Sequence, residues 1–379
     1  MKNLYRQIQQ HLVGLSGTTP QGNDLKRLNL LSGLICGMIR KGNSSLPDIG
    51  SGIPKDIDAN SKTRSAERFV KNKWTDYDLH FLPFLAAFLR GLLCIMQLHQ
   101  GIHLVIDGSQ VGKDNAMLMV SLVWGNRGIP ICWIVKKGSK GHFSVENHLE
   151  VLKLAITILQ NLLPKNVQVT LLGDGEFDAI ELQELCREQG WDYVLRTACN
   201  SIFYENGELF HARDVQPDDT QHIAFVSDVE FTEKRYQFVN FTCWFNRKKH
   251  EEPIFLVSNL ENAGDIIEFY TLRFSIECLF KDLKSTSFNV HKTRLKKPED
   301  VFNLIIIAAL AFILVTTFSI IFDSTKNRKK VQRVRKDRKV LSFFTFGFKL
   351  LNKFVDLDVP FKFSFHFSKN FDDFFRNST

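Results

Sequence analysis

Hydrophobic positions fall into successive regimes along this chain. Over the first hundred residues they recur three and four apart, as in LKRLNLLSGLICGMIRKG and LHFLPFLAAFLRGLLCIMQ. That spacing predicts helices, the first ending at Gly42. The intervening NSSLPDIGSGIPKDIDANSK is rich in Ser, Gly, Pro and Asp and predicts a loop. It leads into SKTRSAERFVKNKW, where Lys62, Arg64, Arg68, Lys71 and Lys73 crowd together. From residue 101 the pattern changes to short continuous apolar runs. IHLVID, NAMLMVSLVW and IPICWIVKK, separated by Gly-containing turns, predict consecutive antiparallel strands. SVENHLEVLKLAITILQNLL then predicts a helix with Ser144 as N-cap. After it come a strand in VQVTLLGD, a helix in DAIELQELCREQG that stops at Gly190, and a short strand in WDYVLR.

Three meandering strands followed by alternating helix and strand is the order of an RNase H-like α/β core. Residues from about 197 to 260 break the alternation. FHARDV, IAFVSDVEFT, YQFVNFTCWFN and PIFLVSN read as short strands, so a β-rich insertion is expected there. After Gly264 comes YTLRFSIECLFKDLK, residues 270–284. At roughly 100° per residue, Tyr270, Arg273, Glu277 and Lys284 fall within an arc of about 60° on one face of the expected helix. Leu272, Ile276, Leu279 and Leu283 form an apolar stripe opposite. A mixed-charge outer face is ordinarily just solvated, so this helix alone names no chemistry. A long apolar segment, PEDVFNLIIIAALAFILVTTFSIIF, precedes KNRKKVQRVRKDRK and a Phe-rich tail that the pattern does not place. The chain thus divides into a helical region (1–100), an α/β domain (101–325) and a basic run with tail (326–379).

Charge and cysteines narrow the partners. Lys and Arg (49) exceed Asp and Glu (41) by 8 in 379 residues, which suits a polyanion such as nucleic acid. The seven cysteines are scattered without a CxxC pair, which argues against a disulfide framework or a zinc site and fits a reducing compartment. The first twenty residues lack the apolar core of a signal peptide, so a cytoplasmic location is expected. In the helical region, short helices and a basic stretch are compatible with a DNA-binding head, and a plain helical cap reads equally well.

Two acids end apolar runs at glycine turns: Asp107 after IHLVI and Asp174 after VTLLG. Asp and Gly begin many ordinary turns. An acid at the end of a buried strand is nevertheless costly unless it is paired, exposed in a cleft or bound to a cation. Carboxyl ends of strands are also where α/β sheets place their sites. Asp107 and Asp174, with Glu277 on a helix able to pack beside them, form an all-oxygen set suited to Mg²⁺, with Mn²⁺ as a substitute. Three carboxylates can hold two such ions about 4 Å apart. His142 and His148 lie within reach in the sequence, although a lone His is commonly structural.

These residues resemble the DDE transposases of bacterial insertion sequences. The match is to the group with a Tyr-Arg-Glu-Lys (YREK) signature, read here as Y-x2-R-x3-E-x6-K over Tyr270, Arg273, Glu277 and Lys284. IDGSQ and LLGDGEFD look like the two Asp motifs, and the resemblance spans roughly residues 100–325. It implies cut-and-paste DNA transposition on an RNase H-like catalytic core, with Asp107, Asp174 and Glu277 as catalytic residues holding two Mg²⁺ ions. Water would attack first, the freed 3′-hydroxyl would then form a hairpin at the element's end, and the reopened end would join target DNA. Tyr270, Arg273 and Lys284 would hold phosphates near a flipped end nucleotide, in keeping with the bidentate grip of Arg. Trp244 in the insertion is a candidate to fill the space left by that base, although a Trp in a strand is commonly core. The implied partners are double-stranded DNA at the element's ends and target, and a second copy in a homodimeric paired-end complex. The implied location is the bacterial nucleoid.

Competing readings are a catalytically decayed end-binding protein and another RNase H-like nuclease or resolvase. The Tyr-Arg-Lys set around Glu277 separates the last from transposition, since a simple nuclease needs no clamp for a flipped end. Leu304 to Phe322 runs 19 residues without a charge, long enough to span a bilayer. With a large α/β domain before it, a helix buried against the sheet is the expectation, with no membrane contact. Contact between the 326–339 run and DNA is expected, with a solvated linker as the alternative.

Overall fold

The computed structural model describes residues 2–364 apart from 17–18, 97–100, 140, 142, 218–221, 249–250 and 332–340. The first region is helical as expected: α1 (Lys2–Leu15), α2 (Gly22–Lys41), α3 (Leu46–Gly50), α4 (Ala59–Val70), α5 (Tyr77–His80) and α6 (Leu82–Leu93). α2 stops at Gly42, whose left-handed backbone (φ 60°) lets its N–H reach Met38 O. The Ser-, Gly- and Pro-rich stretch is not all loop. Ser45 caps α3 within it by accepting from the Asp48 N–H.

Beyond residue 101 the strands β1 (Ile102–Val111), β2 (Asn115–Trp124) and β3 (Arg127–Lys137) form an antiparallel meander. Helix α7 (Val145–Gln160), β4 (Val169–Gly173), α8 (Ile180–Glu188) and β5 (Asp192–Arg196) follow. Ser144 occupies the N-cap position of α7, but its hydroxyl makes no capping bond and engages the Glu146 side chain instead. β6 (Ile202–Glu205), β7 (Glu208–His211), β8 (Ile223–Phe231), β9 (Tyr236–Trp244) and β10 (Ile254–Ser258) complete one ten-stranded sheet. The order is β3-β2-β1-β4-β5-β10-β9-β8-β6-β7, with β1, β4 and β5 parallel and β10 antiparallel to β5. The β-rich stretch therefore extends the sheet through β10.

Strand alternation separates the two faces of the meander. Cys132 Sγ meets Val151 O of α7 on one side, while Trp133 packs against Tyr77, Phe81 and Phe302 on the other. Asp107, Met119 and Trp133 pair in a row across β1, β2 and β3, so Asp107 lies on the Trp133 face.

On that face run α9 (Ala263–Leu272) and α10 (Phe274–Lys281), α9 against β4 and β5 and α10 against β1, β2 and β3. A π-helical turn at Asp282–Thr286 follows, then α11 (Pro298–Phe322), α12 (Thr325–Val331) and α13 (Phe343–Asp356). α11 has the length and apolarity to cross a membrane, and 94% of its most apolar window is buried in the protein. It packs not on the sheet alone but between α13, α2, β3, α4 and α6. A helix apolar on all sides needs neighbours all round, and those helices supply them. Part of the Phe-rich tail belongs to this same core through Phe344, Phe346, Leu350, Leu351 and Phe354 of α13. Of the 326–339 basic run, residues 332–339 lie outside the described residues.

Candidate active site

Asp107 and Asp174 occupy neighbouring positions. β1 and β4 pair in parallel from Ile102 opposite Val169 to Val105 opposite Leu172. Two further residues at the same register bring Asp107 opposite Asp174, one position past the end of β4. Adjacent strands lie about 4.8 Å apart, and residues at one register level point to the same face. The same count carried from β4 to β5 sets Arg196 beside Asp174. Asp107, Asp174 and Arg196 thus form a row across three parallel strands, with Arg196 at the end of β5, Asp174 just past β4 and Asp107 inside β1, which runs on to Val111 instead of turning at Gly108 as the sequence suggests.

Local sequence explains how each acid is held. Asp107 is almost fully buried, and its Oδ1 accepts the Gly108 N–H at 2.7 Å. Asp174 begins a tight turn in which its Oδ1 accepts the Glu176 N–H and its carbonyl the Phe177 N–H, both at 3.1 Å. Gly173 makes room for that turn, because a Cβ there would stand 2.8 Å from Phe177 Cβ. Phe177 is fully buried against the His148 ring, and His148 Nε2 lies 3.7 Å from Glu176 Oε1. His148 therefore contacts the turn that carries Asp174. His142 lies outside the described residues.

The segment 270–284 is not one unbroken helix. α9 ends at Leu272, α10 begins at Phe274, and the Arg273 N–H bonds to Tyr270 O, a tighter turn than the α-helical one. The π turn from Asp282 then winds the chain more loosely, so Lys284 leaves the line that a uniform helix predicts. Nor is there one open polar face. Tyr270 is buried, and Arg273, Glu277 and Lys284 are half-buried. The apolar stripe is real at Ile276, Leu279 and Leu283, whereas Leu272 is only half-buried.

Arg273 is the electrostatic centre of the group. Its guanidinium donates to Glu277 Oε1 at 2.5 Å and lies 5.8 Å from the Tyr270 ring centroid. Burial opposes its charge, but Tyr270, Glu277 and Asp107 outweigh this and raise its pKa. Burial also raises the pKa of Tyr270, which keeps its hydroxyl a donor. Arg273 and Arg196 pull that value down, and the Asp174 charge pushes it up. These interactions tie Asp107, Asp174, Tyr270, Arg273, Glu277 and Arg196 into one neighbourhood. Arg196 is the member that sequence reasoning missed, although it too ends a short strand, the criterion that singled out the two acids.

Among the described residues, no group of three or more His, Cys, Asp or Glu side chains is gathered closely enough to hold a metal ion. Asp107 and Asp174 are aligned, but Glu277 is engaged by Arg273. The donor set is all oxygen, as Mg²⁺ or Mn²⁺ requires, and two of its three members are already in register. Trp244 closes β9 opposite Ile254 and Ile223, half-buried and packed on the core. It lies at the same carboxyl edge as Arg196, three inter-strand steps from β4, or about 14 Å across.

The family model of the transposase DDE domain matches residues 148–314. The matched stretch contains Asp174, Tyr270, Arg273, Glu277 and Lys284, and it begins after Asp107. The match supports a DDE-type transposase. No curated protein matches the chain.

Proposed function

We propose that this protein is a DDE-type transposase that cuts and joins DNA strands. The observation carrying this reading is the register of Asp107 in β1 opposite Asp174 just past β4, with Glu277 of α10 joined to them through Arg273. Three meandering strands followed by alternating helix and strand is the order of elements expected of an RNase H-like core, and the match over residues 148–314 supports a DDE-type transposase. In this reading Asp107, Asp174 and Glu277 hold two divalent ions, Mg²⁺ or Mn²⁺. Bound there, such ions activate an attacking oxygen and stabilise the leaving oxygen of a phosphodiester.

The chain's own groups prepare that site. Asp107 is held away from water and oriented by the Gly108 N–H, and Asp174 is fixed by the turn over Phe177. Arg273 keeps Glu277 at the site, and its guanidinium can pass from the carboxylate to a phosphate, since both accept its planar pair of donors. Tyr270, held protonated, donates to the same phosphate region, with Lys284 as a further cation. The spacing of these four residues supports the cut-and-paste route: hydrolysis at the element's end, hairpin formation by the freed 3′-hydroxyl, reopening and strand transfer. The helical region at 1–100 is assigned to end binding, Trp244 to the flipped-base space, and a homodimer to the paired ends, acting on double-stranded DNA in the bacterial nucleoid.

Mg²⁺-dependent nicking of DNA carrying the gene's flanking sequence tests this. Asp107→Asn, Asp174→Asn and Glu277→Gln are each expected to lower nicking by about 10²-fold or more while DNA binding survives. Undiminished nicking by Asp174→Asn overturns the assignment.

A further inference from the structure

Beside the acid site a second feature of the same sheet edge is left without a role. The chain between the π turn and α11 reads HKTRLKKP, residues 291–298. Its exposure alternates: Lys292, Arg294 and Lys296 are exposed, while Thr293 and Leu295 are half-buried. Lys292 ends a 3-10 turn (Val290–Lys292), and the chain then runs without regular structure to Lys297, just before α11. The apolar side is seated on the β1–β2 turn. Gly112 (φ 66°) passes so close that a Cβ there would lie 3.1 Å from Thr293 Cγ2, and Asn115 Nδ2 donates to Lys296 O at 3.4 Å.

The segment forms one wall of a row of connected clefts of about 620, 370 and 580 Å³, all three lined by Lys71. The opposite wall comes from α4 and the residues after it, through Thr63, Glu67, Lys71, Asn72 and Lys73. Not every charge here is available to a ligand. Lys71 pairs with Glu67, Lys136 pairs with Glu150, and Asp300 faces Lys71 and Lys297. Lys292, Arg294 and Lys296 have no ion pair of this kind among the described residues, so the 292–297 wall keeps a positive excess.

We propose that this groove is a second DNA-contact surface, separate from the acids, which holds the phosphate backbone of duplex DNA leaving the active site. The inference rests on the transposase reading for the identity of the polyanion. Several exposed cations along one wall suit neighbouring phosphates of a polyanion. Position supports the assignment. Gly112, the residue after β1, is five residues past Asp107, about 16 Å along the strand direction, so the wall seated on it lies beyond the acids at the same end of the sheet.

The test is equilibrium binding of a labelled 30-base-pair duplex, and of one of its single strands, across a salt series without divalent ions. The proteins are wild type and a Lys292→Glu, Arg294→Glu, Lys296→Glu triple variant. The corresponding triple Gln variant guards against misfolding, with thermal melts as the check. Each phosphate that is no longer neutralised lowers the slope of log affinity against log salt by about 0.9, so a fall of about 2–3 is expected on the duplex, with a smaller fall on the single strand. Unchanged slopes in folded variants overturn the groove, and a fall confined to the single strand overturns its assignment to duplex. Mg²⁺-dependent nicking by wild type, run in parallel, reports the transposase reading separately. Nicking with unchanged slopes removes only the groove, a reduced slope without nicking removes only the transposase reading, and neither binding nor nicking removes both.

Discussion

Arg273 donates to Glu277 Oε1 at 2.5 Å, one helical turn along the break between α9 and α10. This contact engages one of the two carboxylate oxygens of Glu277. On the proposed reading a divalent ion at Glu277 and Arg273 compete for that oxygen, and releasing it frees the guanidinium for a phosphate.

Arg273→Ala should separate metal affinity from catalysis. Losing a charge-assisted bond of about 1.5–3 kcal/mol frees Glu277, so Mn²⁺ affinity should rise by about tenfold. Nicking should fall by about 10²-fold or more, because the phosphate loses its bidentate partner. Mn²⁺ titration followed by electron paramagnetic resonance, with nicking assayed on the same samples, checks both. A fall in Mn²⁺ affinity contradicts the competition.

Asp282 should leave a mark on stability against pH. Burial pushes its pKa up to about 6, although Arg127, 3.3 Å away, pulls it down. The folded state thus binds this proton more tightly than the unfolded chain does. The stabilisation is fully present below the usual carboxylate range and is lost as pH rises from about 4 to about 6. Urea midpoints at pH 4, 5 and 6 should fall more steeply for wild type than for Asp282→Asn. Parallel profiles contradict the assignment.

Gly112→Ala should act at a distance from both the acids and the cations. A non-glycine residue at φ 66° costs about 1–2 kcal/mol, and the new Cβ presses on Thr293. Displacing that residue tilts the 292–297 wall, so duplex affinity should drop along with the melting temperature. Unaltered affinity in the variant means that the wall does not depend on this seat.

Trp133→Ala should uncouple the helical region from the sheet. The indole fills the space between Tyr77, Phe81 and Phe302 and is fully buried. Its removal is expected to cost about 3–5 kcal/mol in chemical denaturation. A loss below about 1 kcal/mol indicates that the two regions are held together elsewhere.

Much of this structure was legible from periodicity because its elements obey local rules. β2 runs over Asn115–Trp124, the whole NAMLMVSLVW run, and α2 ends at the glycine that terminates its apolar pattern. Asp107 and Asp174 stood out because an acid after a buried apolar run is costly in any fold, although β1 continues past Asp107 to Val111. The helix at 270–284 was misread because a wheel assumes constant pitch. Nothing in YTLRFSIECLFKDLK signals the tight step at Arg273 or the wide turn at Asp282, which arise where two packing surfaces meet.

By itself, then, the sequence determined which segments are strands or helices and which acids follow buried apolar runs. Only the tertiary structure decided that Asp107 stands opposite Asp174, that Arg196 joins their row, and that the 197–260 stretch continues the sheet through β10. It also decided that α11 lies inside the protein and that the HKTRLKKP wall faces the end of α4. Strand register and helix burial depend on partners far away in the chain, and no local pattern encodes which partner arrives.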